Sequence, residues 1–446
     1  MKKIIILIFF LVYNFSFSQN IHTGFYSNAH ILKLDANPSI FPDKDFVISF
    51  PFLNSNFSFN SPITFNNFFL KDNNDSLKIN LPHILSNLDK NEINIFSSRI
   101  DILNFHIGFK FGNKKKYYVY ISDKLINDFS LQFSNKFINF ISNGNASSLN
   151  KINSFNNEKF NNLSYNSLNL GFAYSDNKNF SIGTRFKFLN GLINIDSRKL
   201  NLNSYTDSLS NPIYQTTLTS NILLNTSGIN SYLDNQNFNL DINPFLNNGF
   251  AFDFGFSYNY KKWQFNSSIT DIGKLNWDSK NSTSYSTGGE VNFILDGIQI
   301  NSSENTDISN EFQILSDSLS SVMRPANTEK SYTTNLNRNI FLSTKYNFDK
   351  KNSVSILFHN RALFNYNFNS FIISYQCSVS KKIQLLSSYL NTNKISNLSF
   401  GSVYTSDILQ IHFILDNVLL FDVLDARNFA FQFGLNFNFS KSLFLI

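Results

Sequence analysis

The side chains able to do chemistry are few in this chain and poorly placed for it. Six histidines (His22, His30, His83, His106, His359 and His412) are scattered, with no pair at helical spacing and no cysteine partner. Zinc sites draw on closely spaced His, Cys and carboxylate ligands, so no metal centre is expected. Cys377 is the single cysteine, which excludes an intramolecular disulfide. There is neither a Gly-rich phosphate loop nor a G-x-S-x-G elbow, so no catalytic residue and no cofactor is expected. The informative charges are Arg185, Lys187 and Asp253. Each stands in a segment whose alternate residues are mostly aromatic or aliphatic, and so shares a face with small and polar residues. Arg185 or Lys187 is expected to pair with Asp253 across an enclosed polar interior. That pair is either a structural ion network filling the interior or a selectivity or ligand site.

The elements that would position these charges announce themselves by a period of two. Phe250, Phe252, Phe254, Phe256, Tyr258 and Tyr260 alternate with Ala251, Asp253, Gly255, Ser257 and Asn259. The segment from Phe429 to Phe439 repeats the pattern. A strand sends successive side chains to opposite faces, so one face is oily and the other small or polar. Similar runs occur at Leu103 to Phe111, Leu168 to Tyr174, Phe180 to Phe188 and Trp263 to Ile269, with weaker ones between Ile340 and Phe413. A soluble sandwich would turn the apolar face inward; a membrane barrel turns it outward and must close, because hydrocarbon satisfies no free sheet edge. The chain holds 52 Phe, and its aromatic share (16%) exceeds its charged share (15%), which favours the barrel. The expectation is an all-β, transmembrane, antiparallel up-and-down β-barrel of about 14 strands, within a range of 12 to 18.

Connections read as alternately short and long. Short turns fall at 112–116, 176–179, 261–262, 349–352 and 380–382; longer links are expected at Ser122 to Asn162, Asp271 to Asn339, Arg361 to Asn369 and Asp416 to Asn428. Asn190-Gly191 is either a hairpin turn or a kink. Leu125, Phe129, Phe133, Phe137 and Ile141 recur every fourth residue, which predicts an amphipathic helix near 123–145, stopped by Gly144, that caps the rim or gates the lumen. A second, poorer helix is expected over Asp307 to Met323 within the 271–339 link. Trp263 and Trp277 suit interfacial belts. Most short turns carry lysines: Lys114 to Lys116, Lys178, Lys261 with Lys262, Lys350 with Lys351, and Lys381 with Lys382. On a single rim these would form a basic ring facing anionic headgroups; ordinary turn solvation accounts for them otherwise.

The N-terminus has the form of a secretory signal over residues 1–18: Lys2 and Lys3, an apolar run from Ile4 to Val12, and Ser16-Phe17-Ser18 as cleavage site. Residues 19–446 then form a single barrel domain. The formal charge of +6 falls to +4 once Lys2 and Lys3 are removed, too little over this length for nucleic acid.

Several local patterns resemble one family. They are Asp35-Ala36-Asn37-Pro38-Ser39, Gly183 to Gly191, Asn248-Gly249 through Gly255, Thr270-Asp271-Ile272-Gly273 with Trp277, and Asp416-Asn417 with Gly434-Leu435-Asn436. These resemble Bacteroidota outer-membrane barrel proteins known only as a domain of unknown function, relatives of FadL-like barrels and of a type IX secretion barrel subunit. The resemblance implies about 14 strands, an outer-membrane location and no established activity. It marks Asn37, Pro38, Gly183, Gly191, Gly249, Gly255, Asp271, Gly273, Trp277, Asp416 and Asn417 as motif positions of structural character. Two departures stand out. Ser39 takes the place of the usual Ala, and Ser440 to Ile446 extends past Phe439, leaving two candidates for the terminal assembly signal.

The function expected is passage of a hydrophobic or small solute through the barrel or laterally out of its wall, without catalysis. The other expectation is a non-transporting adaptor barrel that docks a secretion or surface-attachment machinery. Partners would be outer-membrane lipid, the barrel-assembly machinery and, for an adaptor, secretion-system proteins.

Overall fold

The computed structural model describes residues 23–71, 77–88, 93–143, 148–208, 215–230, 239–240, 246–287, 290–295, 326–364, 366–391, 396–417 and 426–440. The export segment 1–18, the helix expected over 307–323 and the tail 441–446 lie outside these residues.

Fourteen antiparallel strands close on themselves. They are β1 (Phe46–Ser49 and Asn54–Asn60, one strand in two pieces), β2 (Ile93–Phe111), β3 (Tyr117–Ser134), β4 (Lys159–Ser175) and β5 (Phe180–Asp207). There follow β6 (Asn248–Tyr260), β7 (Trp263–Trp277), β8 (Asn339–Asn347), β9 (Asn352–Leu363) and β10 (Tyr366–Ser378). The last four are β11 (Ile383–Asn391), β12 (Ser396–Thr405), β13 (Leu409–Asp416) and β14 (Asn428–Phe439). Each strand pairs with its neighbour in sequence, and β14 returns to β1 with Asn54 opposite Gly434 and Phe46 opposite Phe439. Parity decides the faces. In β6, Phe250, Phe252, Phe254 and Phe256 are 43–51% exposed, while Ala251 and Asp253 are fully buried. The oily face therefore points outward and the polar face into the lumen, the arrangement lipid requires.

Asp123 breaks this pattern. It lies on the outward face of β3, six residues from the strand's start. A bulge at Asn104 in β2 lets that side chain lean over, and Asn104 Nδ2 and Asn166 Nδ2 each donate to the carboxylate at 2.6 Å. The wall neutralises its own exception with two carboxamides.

The long end differs from the sequence-based expectation in three places. Leu125, Phe129 and Phe133 are strand residues of β3, and the helix spans only Asn135–Asn143. A spacing of four suits one face of a helix and, being even, one face of a strand equally well; the strand wins because β2 and β4 pair along it. The Arg361 to Asn369 link is mostly paired strand: β9 runs on to Leu363 and β10 begins at Tyr366, the two facing each other. Likewise Asp271 to Trp277 belongs to β7. Of the two readings of Asn190-Gly191, the hairpin turn fails and the kink holds: both lie inside the 28-residue β5, and just past them the register slips by one at Leu192, Gly191 facing Tyr165 and Ile193 facing Ser164. The far half of β5 leaves the barrel and pairs with Gln215–Ser227, which in turn pairs with Ser282–Ser286 and Val291–Leu295, raising one side of the wall. By contrast every lysine-bearing short turn lies at the end that also carries the start of β1 and the finish of β14.

Depth on the outer face should set the cost of a charge. Phe252→Arg, at mid-wall, is expected to destabilise the barrel by about 2–4 kcal/mol in urea unfolding from lipid vesicles. Tyr260→Arg, at the short-turn rim, should cost about 1 kcal/mol or less. Equal costs would mean the outer face does not contact hydrocarbon.

Candidate functional site: a stoppered lumen

The lumen is occupied by the chain's own N-terminal segment. A helical turn at Thr23–Tyr26 leads into α1 (His30–Ala36), followed by Asn37-Pro38-Ser39. Phe25, Ala29 and Leu34 are buried against three different sectors of the inner wall. Phe25 and Ala36 cluster with Phe341, Leu357 and Ile372; Ala29 with Leu386, Val403 and Ile414; and Leu34 with Tyr118 and Tyr120. Polar contacts fix its orientation. Gln384 Oε1 accepts from the Asn28 N–H at 2.7 Å and Gln410 Oε1 from the His30 N–H at 3.1 Å, while Gln410 Nε2 donates back to the Asn28 carbonyl at 2.9 Å. Tyr118 Oη lies 3.3 Å from His30 Nε2 and 3.0 Å from His106 Nε2, tying plug to wall.

The motif residues explain why the segment docks where it does. Gly183 and Gly255 face each other on β5 and β6. A Cβ on Gly183 would sit 2.1 Å from the Pro38 carbonyl oxygen, and one on Gly255 would sit 2.0 Å from Asn37 Oδ1. The two glycines thus clear a bare patch of sheet on which the Asn37-Pro38 backbone rests. Ser39 N–H donates to Asn37 Oδ1 at 2.9 Å, and Ser39 Oγ lies 2.7 Å from Ser257 Oγ, so the hydroxyl standing at position 39 secures the turn to β6.

Beside this cradle lies the ion network. Arg185 Nε donates to Asp253 Oδ2 at 2.5 Å, and its two terminal nitrogens donate to the Leu34 and Asp35 carbonyls at 3.1 and 2.7 Å. Lys187 Nζ lies 3.0 Å from Asp253 Oδ2 and 2.6 Å from Asp271 Oδ1. Asp35 of the plug pairs with Lys124 of β3. The Thr270-Asp271 motif is a bulge: Phe252 faces Ile272 but Phe254 faces Ile269, and Asp271 takes φ +63°. The bulge turns both Thr270 and Asp271 inward and aims the Asp271 N–H at Asp253 Oδ1, 2.7 Å away. Arg185 and Asp253 are register partners on adjacent strands, so they pair along the wall and not across the lumen as expected from the sequence.

The bridge that does cross the lumen was missed. Arg361 of β9 meets Asp128 of β3 at 2.5 Å, with Arg99 3.4 Å from the same oxygen and 2.9 Å from Asp101. Both ends had been hidden, Asp128 on the polar side of a supposed helix and Arg361 in a supposed loop. Reading 125–133 with period two would have put Asp128 inside. Of the remaining motif positions, Trp277 is buried, donates from Nε1 to Thr334 Oγ1 at 3.0 Å, and does not belong to an interfacial belt. Its ring fills the space a Cβ on Gly191 would take. Gly249 and Gly273 let β6 and β7 approach where a Cβ would lie about 2 Å from a partner carbonyl. Asp416 and Asn417 stand apart from the network at the end of β13, where Asn417 Nδ2 donates to the Asn428 carbonyl at 2.8 Å. Above the plug, toward the long connections, a cavity of about 130 Å³ is lined by Asp35, Arg99, Asp101, Lys124, Lys187 and Asp271 among others.

An oily exterior, a polar lumen and a plug drawn from the N-terminal segment define a stoppered transmembrane β-barrel. The model of the family of unknown function DUF5723 matches residues 38–416, and the chain belongs to that family. The match bears out the part of the motif resemblance that pointed to a family of unknown function. No curated protein matches the chain. Among solved structures it is similar to a FadL homologue of Pseudomonas aeruginosa, with 10% identity, a TM-score of 0.43, and 96% of this chain and 99% of that chain covered. It is also similar to the toluene transporter TodX of Pseudomonas putida, with 8% identity, a TM-score of 0.39, and coverage of 95% and 93%.

Asp253→Ala strips a fully buried carboxylate from two cations, and breaking a buried pair this way costs about 3–5 kcal/mol. Replacing Arg185, Lys187, Asp253 and Asp271 together by apolar residues, which leaves none of the four charges unpaired by another, should recover part of that loss. Chemical unfolding in vesicles reads both; a single-variant cost below about 1 kcal/mol would show that the three charges are not mutually dependent.

Proposed function

We propose that this chain is an outer-membrane barrel, exported by cleavage of residues 1–18, that passes a small polar solute through a lumen gated by its own plug. The observation that carries this reading is the cavity above α1. Its walls present acid and base of both signs, of which Asp35 and Asp101 and their partners Lys124 and Arg99 keep partial exposure. A hydrocarbon entering there would displace water from ionic groups and return no hydrogen bond, an unfavourable exchange. A small polar solute replaces the water it displaces. The lining groups position and select. Assembly would require the barrel-assembly machinery.

A second reading has an observation of its own. The plug is anchored to β3, β5, β6, β7, β11 and β13 by hydrogen bonds and ion pairs, more than a loose gate needs. That favours a closed adaptor barrel docking secretion-system or surface-attachment proteins.

Gly183→Val with Gly255→Val separates the two readings, since the added side chains occupy the plug's seat. In planar bilayers and in liposome swelling with sugars and amino acids, the wild type is expected to conduct weakly. The folded double variant, recognised by heat-modifiable gel mobility, should conduct several-fold more. A folded variant as impermeable as the wild type would exclude the gated-channel reading, and faster uptake of toluene than of amino acids would exclude a polar solute.

A further inference from the structure

The lumen balances its own charges, and the excess of positive charge lies elsewhere. Lys114, Lys115, Lys178, Lys261, Lys262, Lys350, Lys351, Lys381 and Lys382 are all exposed, and all stand in turns at one rim, between β2 and β3, β4 and β5, β6 and β7, β8 and β9, and β10 and β11. Lys115 pairs with Asp45 at 2.6 Å; the other eight form no ion pair among the described residues.

The nearest carboxylates are committed to building the turns. Asp176 Oδ1 accepts the N–H groups of Lys178, Asn179 and Phe180 at 2.8–3.0 Å. Asp349 Oδ1 accepts those of Lys351 and Asn352 at 2.6 and 2.8 Å. The Asn352 side chain and these N–H groups hold the Asp349 carboxyl below its usual range. These acids shape the loops that present the lysines.

Depth comes from the aromatic residues alongside. Phe111, Tyr260, Trp263, Phe348 and Tyr375 are exposed on the outer face at this end, and Lys261-Lys262 sits directly between Tyr260 and Trp263. Aromatic girdles mark the membrane–water interface. With about 3.3 Å of rise per residue, lysines one to four positions past the girdle reach the headgroup layer and go no further. A ring of compact point charges at that depth matches the phosphodiesters of lipid headgroups.

We propose that the short-turn rim binds the phosphate headgroups of anionic phospholipids in the leaflet it faces. This rests on the outer-membrane reading above but not on transport. It also decides between the two accounts of the turn lysines: they are a membrane-facing ring, and solvation alone does not explain their arrangement.

The full mature chain, folded into phosphatidylcholine vesicles with and without phosphatidylglycerol, tests this. The melting temperature should rise by several degrees with phosphatidylglycerol, and the gain should fade with salt, which screens charges beyond about 10 Å at 0.1 M. Changing the eight unpaired lysines to Gln should abolish the gain. If that variant folds poorly, native mass spectrometry of the wild type should show phosphatidylglycerol enriched at least about twofold over bulk among retained lipids. Equal gains for wild type and Gln variant, or no enrichment, would overturn the proposal. So would a Gln variant that keeps its lipid response but loses co-sedimentation with purified peptidoglycan sacculi, which would give the rim to a wall polymer. Unchanged solute conductance in a variant that loses its lipid gain would support the rim proposal on its own terms. A chain that never integrates into vesicles would end both readings.

Discussion

Everything in this molecule follows from one constraint: a backbone in hydrocarbon must satisfy its hydrogen bonds within itself. Fourteen strands meet it by closing β14 onto β1. Closure sorts each strand into two faces of opposite polarity, and the inner face then poses a second problem. Charges such as Asp253, Asp128 and Arg361 are buried in the wall, where an unpaired ion is costly. They are met by one another and by the plug. Arg185 shows the coupling, since one guanidinium serves Asp253 of the wall and two carbonyls of the N-terminal segment. The plug completes the interior's electrostatics as well as blocking it.

Small backbone devices make this possible. The facing glycines at 183 and 255 leave the sheet bare where Asn37-Pro38 lands, and the bulge at Asp271 adds a carboxylate that regular alternation would have sent to lipid. The Asn104 bulge does the converse, capping an Asp123 that parity leaves outside. In each case a departure from regular pairing places a polar group that the two-residue period could not place by itself.

The same period explains what was legible in the sequence. Where a run was long and strictly alternating, as in β6 and β14, strand, facing and lumen residues could all be read from parity. It misled where the alternation was weaker. Leu125, Phe129 and Phe133 sit four apart with Ile126, Asn127 and Asp128 between them, and such a segment carries both periods at once; only pairing partners distant in sequence decide it. That one ambiguity cost the Asp128 end of the cross-lumen bridge, and the unforeseen run of β9 to Leu363 cost the Arg361 end. The burial of Trp277 was equally invisible, because it depends on Gly191, 86 positions earlier in the chain, leaving room for an indole. The motif resemblance marked both residues without showing that they touch.

Charge is distributed by place, and this separates two roles that composition merges. Inside, Arg99, Lys124, Arg185, Lys187 and Arg361 are matched by Asp35, Asp101, Asp128, Asp253 and Asp271. A lumen so balanced exerts little net field, so it does not concentrate ions of one sign as a ring of like charges would. The formal +6 of the whole chain therefore says nothing about selectivity. The short turns carry lysines in excess at one rim, apart from what passes through the barrel. A chain whose mean charge looked unremarkable thus holds a neutral, hydrogen-bonding interior and a basic margin, and the strand period is what keeps them apart.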